Sequence, residues 1–186
     1  EISEQTVAIA IVGRLTAVKD HHYFLDVIQE VHNLVKKKIK IFIVGDGDMK
    51  SEIEQRIGPM KSLGIDICLT SWILDIAEFN AGMDIMCLTS KNEGTPVSLI
   101  EAQASNLPVV STDVGGVLDI VKQNETGFII PRKLKSEFVS KLQLLIENDE
   151  IRKKMKDKGW QNVYEKYSYQ RLVKDMDTYY KELLNR

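Results

Sequence analysis

Val7-Ala8-Ile9-Ala10-Ile11-Val12, closed by Gly13, is an unbroken apolar run rich in β-branched residues. A strand wetted on one face alternates polar with apolar, whereas an unbroken run suits a parallel strand covered on both faces. Working outward, His21 to Lys38 places Phe24, Leu25, Val27, Ile28, Val31, Leu34 and Val35 at the i, i+3, i+4, i+7 spacing of one helix face. Lys40 to Val44 then returns to strand character, which completes a βαβ unit.

The alternation continues: a polar helix at Lys50 to Leu63, a strand at Ile65 to Thr70, a short helix at Ile76 to Ala81 and a strand at Ile85 to Thr89. A helix from Val97 to Ser105, a strand at Pro108 to Ser111, a short helix from Val117 to Lys122 and a strand at Gly127 to Ile130 follow. The pattern predicts an α/β fold, a doubly wound parallel sheet, with ligands held beyond the carboxyl ends of its strands. After Pro131 the chain reads as helical: Leu134 to Ile146, Ile151 to Lys158 with Gly159 as punctuation, and Gln170 to Leu184. No repeat of fixed period and no low-complexity segment interrupts it.

At 186 residues and a formal net charge of −2 the chain has room for one such domain and lacks the global positive field of a nucleic-acid binder. Cys68 and Cys87 fall inside predicted strands, the ordinary place for small buried thiols in a reducing compartment. No apolar stretch approaches the ~20 residues needed to cross a bilayer. The expectation is a soluble, cytoplasmic protein. The chain opens at Glu1 rather than Met and enters a strand within six residues, as though cut from something longer.

The polar loops of interest all follow predicted strands. Gly13-Arg14-Leu15-Thr16-Ala17-Val18-Lys19 offers a guanidinium fork and a point charge, together suited to a diphosphate; a surface loop with two cations is the plainer reading. Gly45-Asp46-Gly47-Asp48 carries Gly45 and Gly47, which allow a backbone to approach a ligand closely or simply turn the chain. Neither G-x-G-x-x-G nor a P-loop occurs.

The third loop, Ser90 to Glu101, is the most informative. Pro96 is placed as the first residue of a helix with Thr95 as its cap, so free N–H groups and the positive dipole end would face the strand ends. Glu93 hangs in the loop and Glu101 lies further along the helix, isolated between Ile100 and Ala102. Two carboxylates in this relation invite a glycosidase acid/base pair, but they share one edge with Arg14 and Lys19, which suits a long, phosphate-bearing ligand better.

These segments together resemble glycosyltransferase family 4. Gly13-Arg14-Leu15 with Lys19 is similar to its G-R-L-x-x-x-K loop, and Glu93-Gly94-Thr95-Pro96 through Glu101-Ala102 to its E-x7-E segment. Pro108 to Gly116 and Gly127-Phe128 follow in the same order, so the resemblance spans roughly residues 7 to 131. It implies the donor-binding half of a GT-B enzyme that moves a sugar from a nucleotide-diphosphate sugar with retention and without a metal or other cofactor. Arg14 and Lys19 would hold the diphosphate and Glu93 the donor sugar, these three being the catalytic groups. Glu101 would hold the ribose, the backbone of Gly94, Thr95 and Val97 the sugar and phosphate, and Ser71-Trp72-Ile73 the base. The implied division is a nucleotide-sugar-binding domain over 1–168 and a helix over 169–186 that crosses toward an N-terminal acceptor-binding domain, absent here. Asp20, Ser71 and Ser105-Asn106 stand where the family often has glycine, which opens the question of loop shape.

Other readings are weighed against this one. A nucleotide-sugar epimerase shares the two-domain architecture but not the spaced glutamates, and a flavodoxin-like regulator should carry acids where Arg14 and Lys19 stand. His21, His22 and His32 read as solvated or partly buried rather than as a metal site. Trp160, Tyr164, Tyr167, Tyr169, Tyr179 and Tyr180 read as packing of the terminal helices onto the domain. The basic cluster Arg152, Lys153, Lys154, Lys156 and Lys158 reads as a solvated face, with peripheral contact at an anionic membrane as the alternative.

Overall fold

In the computed structural model, which describes residues 5–185, six strands form one parallel sheet. They are β1 (Thr6–Val12), β2 (Lys38–Val44), β3 (Asp66–Thr70), β4 (Ile85–Leu88), β5 (Val109–Thr112) and β6 (Gly127–Ile130). The helices are α1 (His21–His32), α2 (Lys50–Ser62), α3 (Ile76–Ala81), α4 (Val97–Ala104), α5 (Val117–Ile120), α6 (Lys135–Glu147), α7 (Asp149–Tyr167) and α8 (Tyr169–Leu184). The strand order β3-β2-β1-β4-β5-β6 is that of a doubly wound sheet, as the alternation predicts.

The pleat of β1 explains its continuous apolar run. Val7, Ile9 and Ile11 enter one core with Phe24 and Ile28 of α1, Ile53 of α2 and Phe138 and Leu142 of α6. Ala8 and Ala10 point into the opposite core with Leu99 and Ala102 of α4 and Val117 and Ile120 of α5. Both faces are therefore dry, and a polar residue at any of these strand positions would lose its water without gaining a partner.

Several boundaries differ from expectation, each for a packing reason. Helix α1 stops at His32 rather than Lys38, because Lys38 and Ile39 pair in register with Thr6 and Val7 of β1. Leu34, expected on the helix stripe, is 52% exposed, and the connecting backbone is tied down by a bond from Lys36 N to Glu147 at 2.6 Å. Helix α7 runs straight through Gly159, which therefore punctuates nothing. A Cβ there would sit 3.0 Å from the carbonyl oxygen of Gln103, so the glycine permits α4 and α7 to approach.

One expectation about the tail fails. None of the described residues of α8 is buried, and Tyr169, Tyr179 and Tyr180 are exposed rather than packed on the domain; of the six aromatics only Tyr167 joins a core cluster. Residue 186, the end of the expected 169–186 helix, and Glu1 lie outside the described residues. The basic cluster divides: Lys153, Lys154 and Lys158 are exposed, as a solvated face requires, while Arg152 and Lys156 are half-buried. Arg152 bonds the carbonyls of Leu145 and Ile146 at the end of α6, Lys156 pairs with Asp84 at 3.3 Å and Lys158 with Glu125 at 3.4 Å. Among the described residues no helix is long and apolar enough to cross a membrane. Both cysteines are free; Cys87 is buried, which pushes its thiol pKa up.

Candidate functional site

Between β1 and β4 the strand order reverses, so the loops that leave these two strands diverge and open a crevice at the carboxyl edge. Lys19, at the end of the β1 loop, reaches across it: its Nζ lies 2.5 Å from Oε1 of Glu93 on the β4 loop. The same oxygen accepts from Ser90 Oγ at 2.5 Å. Residues 74 positions apart, predicted separately, are thus brought together by topology. The loops are also stitched through backbone: Lys91 N donates to Val18 O at 2.8 Å, and Thr89 Oγ1 donates to the carbonyls of Lys19 and Asp20.

Asp20 explains how the loop keeps its shape without glycine. Its backbone is left-handed (φ 49), a conformation Asp tolerates better than most residues, and as the N-cap of α1 its carboxylate accepts from Tyr23 N. The side chain is 8% exposed, pairs with Arg132 from the loop after β6 and lies 3.9 Å from Lys91. Asn106 is left-handed as well (φ 58), the conformation for which glycine would be chosen. Ser71 is not among the positive-φ residues; its hydroxyl donates to Asp46 at 3.0 Å.

Four glycines hold the two loops of the crevice. A Cβ on Gly45 would stand 2.0 Å from Gly13 O, and one on Gly47 2.4 Å from Leu15 O. The close approach anticipated for this pair is made to the backbone of the β1 loop. On the other side a Cβ on Gly115 would stand 1.7 Å from Glu93 O, and one on Gly116 2.2 Å from Gly94 O. Gly116 N donates to Gly94 O at 3.0 Å. Sequence reasoning quoted Gly115-Gly116 without a role; their role is to seat the Glu93 loop. It also missed Ser90, Thr89 and Arg132.

Arg14 is exposed, and no hydrogen bond or ion pair engages its guanidinium among the described residues. Glu101 is half-buried and likewise without a hydrogen bond or ion pair among the described residues, and that burial pushes its carboxyl pKa up. Helix α4 begins one residue later than expected: Pro96 is the N-cap, Val97 the first helical residue, and no side chain caps it. Gly94, Thr95 and Val97 are exposed beside that uncapped start, so first-turn N–H groups remain for an anion or hydroxyl. In the loop after β3, Ser71 and Trp72 are exposed and Ile73 is half-buried. Asp46 stands beside them, its pKa lowered by hydrogen bonds from Lys50 and Ser71.

The histidines form no cluster. His22 lies 3.4 Å from Glu52 and is met by Arg56 at 3.3 Å, while His21 is 1% exposed rather than solvated, with neither ring nitrogen hydrogen-bonded. Among the described residues no three His, Cys, Asp or Glu side chains come together as metal ligands.

The profile of the family described as glycosyl transferases group 1 matches residues 1–162. The chain belongs to that family. The amylovoran biosynthesis glycosyltransferase AmsD of Erwinia amylovora is 32% identical over 152 residues, covering 81% of this chain and 42% of that protein. Among solved structures, S. aureus TarM, as a mutant in complex with fondaparinux, α-GlcNAc-glycerol and UDP, superposes with a TM-score of 0.84 at 23% identity. That match covers 96% of this chain and 36% of TarM. The C-terminal domain of a group 1 family protein (LpcC) from Francisella tularensis gives a TM-score of 0.78 at 23% identity, with 88% of this chain and 87% of that one covered. The chain thus spans less than half the length of AmsD but nearly the whole of an isolated C-terminal domain. These group 1 relatives do not favour the epimerase or regulator reading.

Proposed function

We propose that this chain is the donor-binding domain of a retaining, family 4-type glycosyltransferase, which takes a nucleotide-diphosphate sugar and, with an acceptor-binding domain, passes the sugar to an acceptor hydroxyl. The Lys19–Glu93 pair across the β1/β4 crevice carries this reading: it sets a cation and a carboxylate on one ligand-sized edge. Arg14, without a partner among the described residues, supplies the fork for the diphosphate. Lys19, on the same loop, is oriented by Glu93. As the bond to the sugar breaks, negative charge grows on the leaving diphosphate, and these two cations with the uncapped start of α4 stabilise it.

Glu93 has one carboxylate oxygen committed to Lys19 and Ser90; the other remains for donor sugar hydroxyls. Glu101, partly buried and unpaired among the described residues, accepts from the ribose, and the Ser71-Trp72-Ile73 stretch receives the base. The cations and helix start supply the positive charge a divalent metal would otherwise bring, so binding is metal-independent. UDP in the TarM complex supports a nucleotide in this class of site. Leu172, Met176, Tyr179 and Leu183, exposed along α8, support a terminal helix that meets the acceptor-binding domain.

Calorimetric titration of nucleoside diphosphates in the presence of EDTA tests the proposal. Binding should survive the chelator, and Arg14→Ala should weaken it by about 1.5–3 kcal/mol, the range for a charge-assisted hydrogen bond. Strict dependence on a divalent cation, or an intact Arg14→Ala chain with unchanged affinity, would refute it.

A further inference from the structure

Two aromatic side chains on α7 stay outside both core clusters. Trp160 and Tyr164, one helical turn apart, stack on each other with centroids 4.5 Å apart and planes at 16°. Both remain open, at 48% and 43% exposure. They line a groove of about 650 Å³ whose remaining walls are Asn106, Asp157, Gln161 and Glu165. Asn106 lies between α4 and β5, at the amino edge of the sheet, so the groove is on the side opposite the Lys19–Glu93 crevice.

Contacts within the groove join its walls. Asn106 Oδ1 accepts from Trp160 N at 3.3 Å, and Gln161 Nε2 donates to Glu165 at 3.4 Å. The stack holds the indole in one orientation before any ligand arrives. Two lysines that flank the pair in sequence are engaged elsewhere: Lys158 pairs with Glu125, and Lys166 bonds the carbonyl of Asp119. The groove therefore offers aromatic faces, two carboxylates and two amides, with no lining cation.

We propose that this groove is a second binding site, for a segment of a neutral or N-acetylated oligosaccharide. A sugar ring has an apolar C–H face, which suits an open aromatic plane, and a rim of hydroxyl and amide donors, which suits carboxylate and amide acceptors. The missing cation excludes a polyanion, since sulfates or phosphates would meet Asp157 and Glu165. That the bound saccharide is a chain the enzyme itself extends rests on the proposed function; binding as such does not. A site on the far edge would hold a growing chain near the enzyme between additions by raising its effective concentration.

NMR titration of the whole 186-residue chain with chitotetraose and, separately, maltoheptaose tests this. Trp72 and Trp160 are the two tryptophans, so each indole N–H is identified by its absence in the corresponding variant. One of the two sugars should shift the Trp160 signal and the α7 amides, and Trp160→Ala and Tyr164→Ala should each weaken that binding by about tenfold, the scale of one lost aromatic contact. Nucleoside diphosphate binding should be unchanged in both variants. No shift with either sugar at ~20 mM, beyond any affinity of use to the enzyme, overturns the proposal. So do shifts that persist in both variants, or concentration-dependent self-association that Trp160→Ala abolishes without any sugar response. Nucleotide binding without sugar binding defeats this site alone; loss of nucleotide binding defeats the proposed function instead.

Discussion

Lowering the pH should destabilise this protein through His21, and the size of the effect follows from its position. The ring is buried at the start of α1, both nitrogens lack partners, and Lys19 and His22 lie nearby. Burial first, then the neighbouring positive charges, lower its pKa from 6.5 to about 4. The unfolded chain therefore binds the proton more readily. Stability from this residue is complete above pH 6.5, declines as the pH falls below that, and is gone by about pH 4. Between pH 7.5 and pH 5 the linkage relation gives a loss of about 2 kcal/mol, a large part of a typical ~5–15 kcal/mol total. Urea unfolding at the two pH values, for the natural chain and for His21→Leu, isolates the contribution. The variant should lose about 2 kcal/mol less on acidification, whatever its stability at pH 7.5. Equal losses in the two proteins would refute the assignment of a buried, neutral imidazole.

Other perturbations give separate readouts. Gly115→Ala places a Cβ 1.7 Å from Glu93 O on a backbone with φ 49. It should cost about 2 kcal/mol or more and weaken nucleotide-sugar binding by displacing Glu93; unchanged denaturation and affinity would show that the loop has slack. Glu101→Gln should weaken both a bare nucleoside and a nucleotide sugar in calorimetry, whereas Glu93→Gln should spare the nucleoside; equal weakening toward the nucleoside would remove the division between them. These 186 residues by themselves should hold the donor without transferring sugar, because a GT-B site is closed by a second domain. Labelled-donor assays that find turnover near ~1–1000 per second would contradict that.

The sheet was legible because its strands are covered on both faces, which leaves apolar runs that nothing else in the chain imitates. The lengths of α1 and α7 were not. The stripe through Leu34 and Val35 continues a helical period, but the register of Lys38 on Thr6 is a long-range demand that the local pattern does not carry. Gly159 reads as a stop only until the backbone of α4 is beside it. Arg14, Lys19, Glu93 and Glu101 stood out as charged residues in post-strand loops and an otherwise apolar helix. Their supports did not, because Ser90, Thr89, Gly115 and Arg132 acquire meaning only from neighbours distant in sequence. His21 shows the same limit: next to His22 and two positions from Lys19, it reads as solvated or partly buried, and only the fold buries it fully.

The central claim is that a nucleotide sugar lies across the β1/β4 crevice. Amide chemical-shift mapping of the chain with a panel of nucleoside diphosphates and nucleotide sugars, in EDTA, tests it most directly. At least one ligand should perturb a contiguous set comprising Gly13 to Asp20, Ser90 to Glu101 and Gly115-Gly116, together with the Ser71 to Ile73 loop. Silence from the entire panel, or shifts gathered away from the carboxyl ends of the strands, would contradict the account.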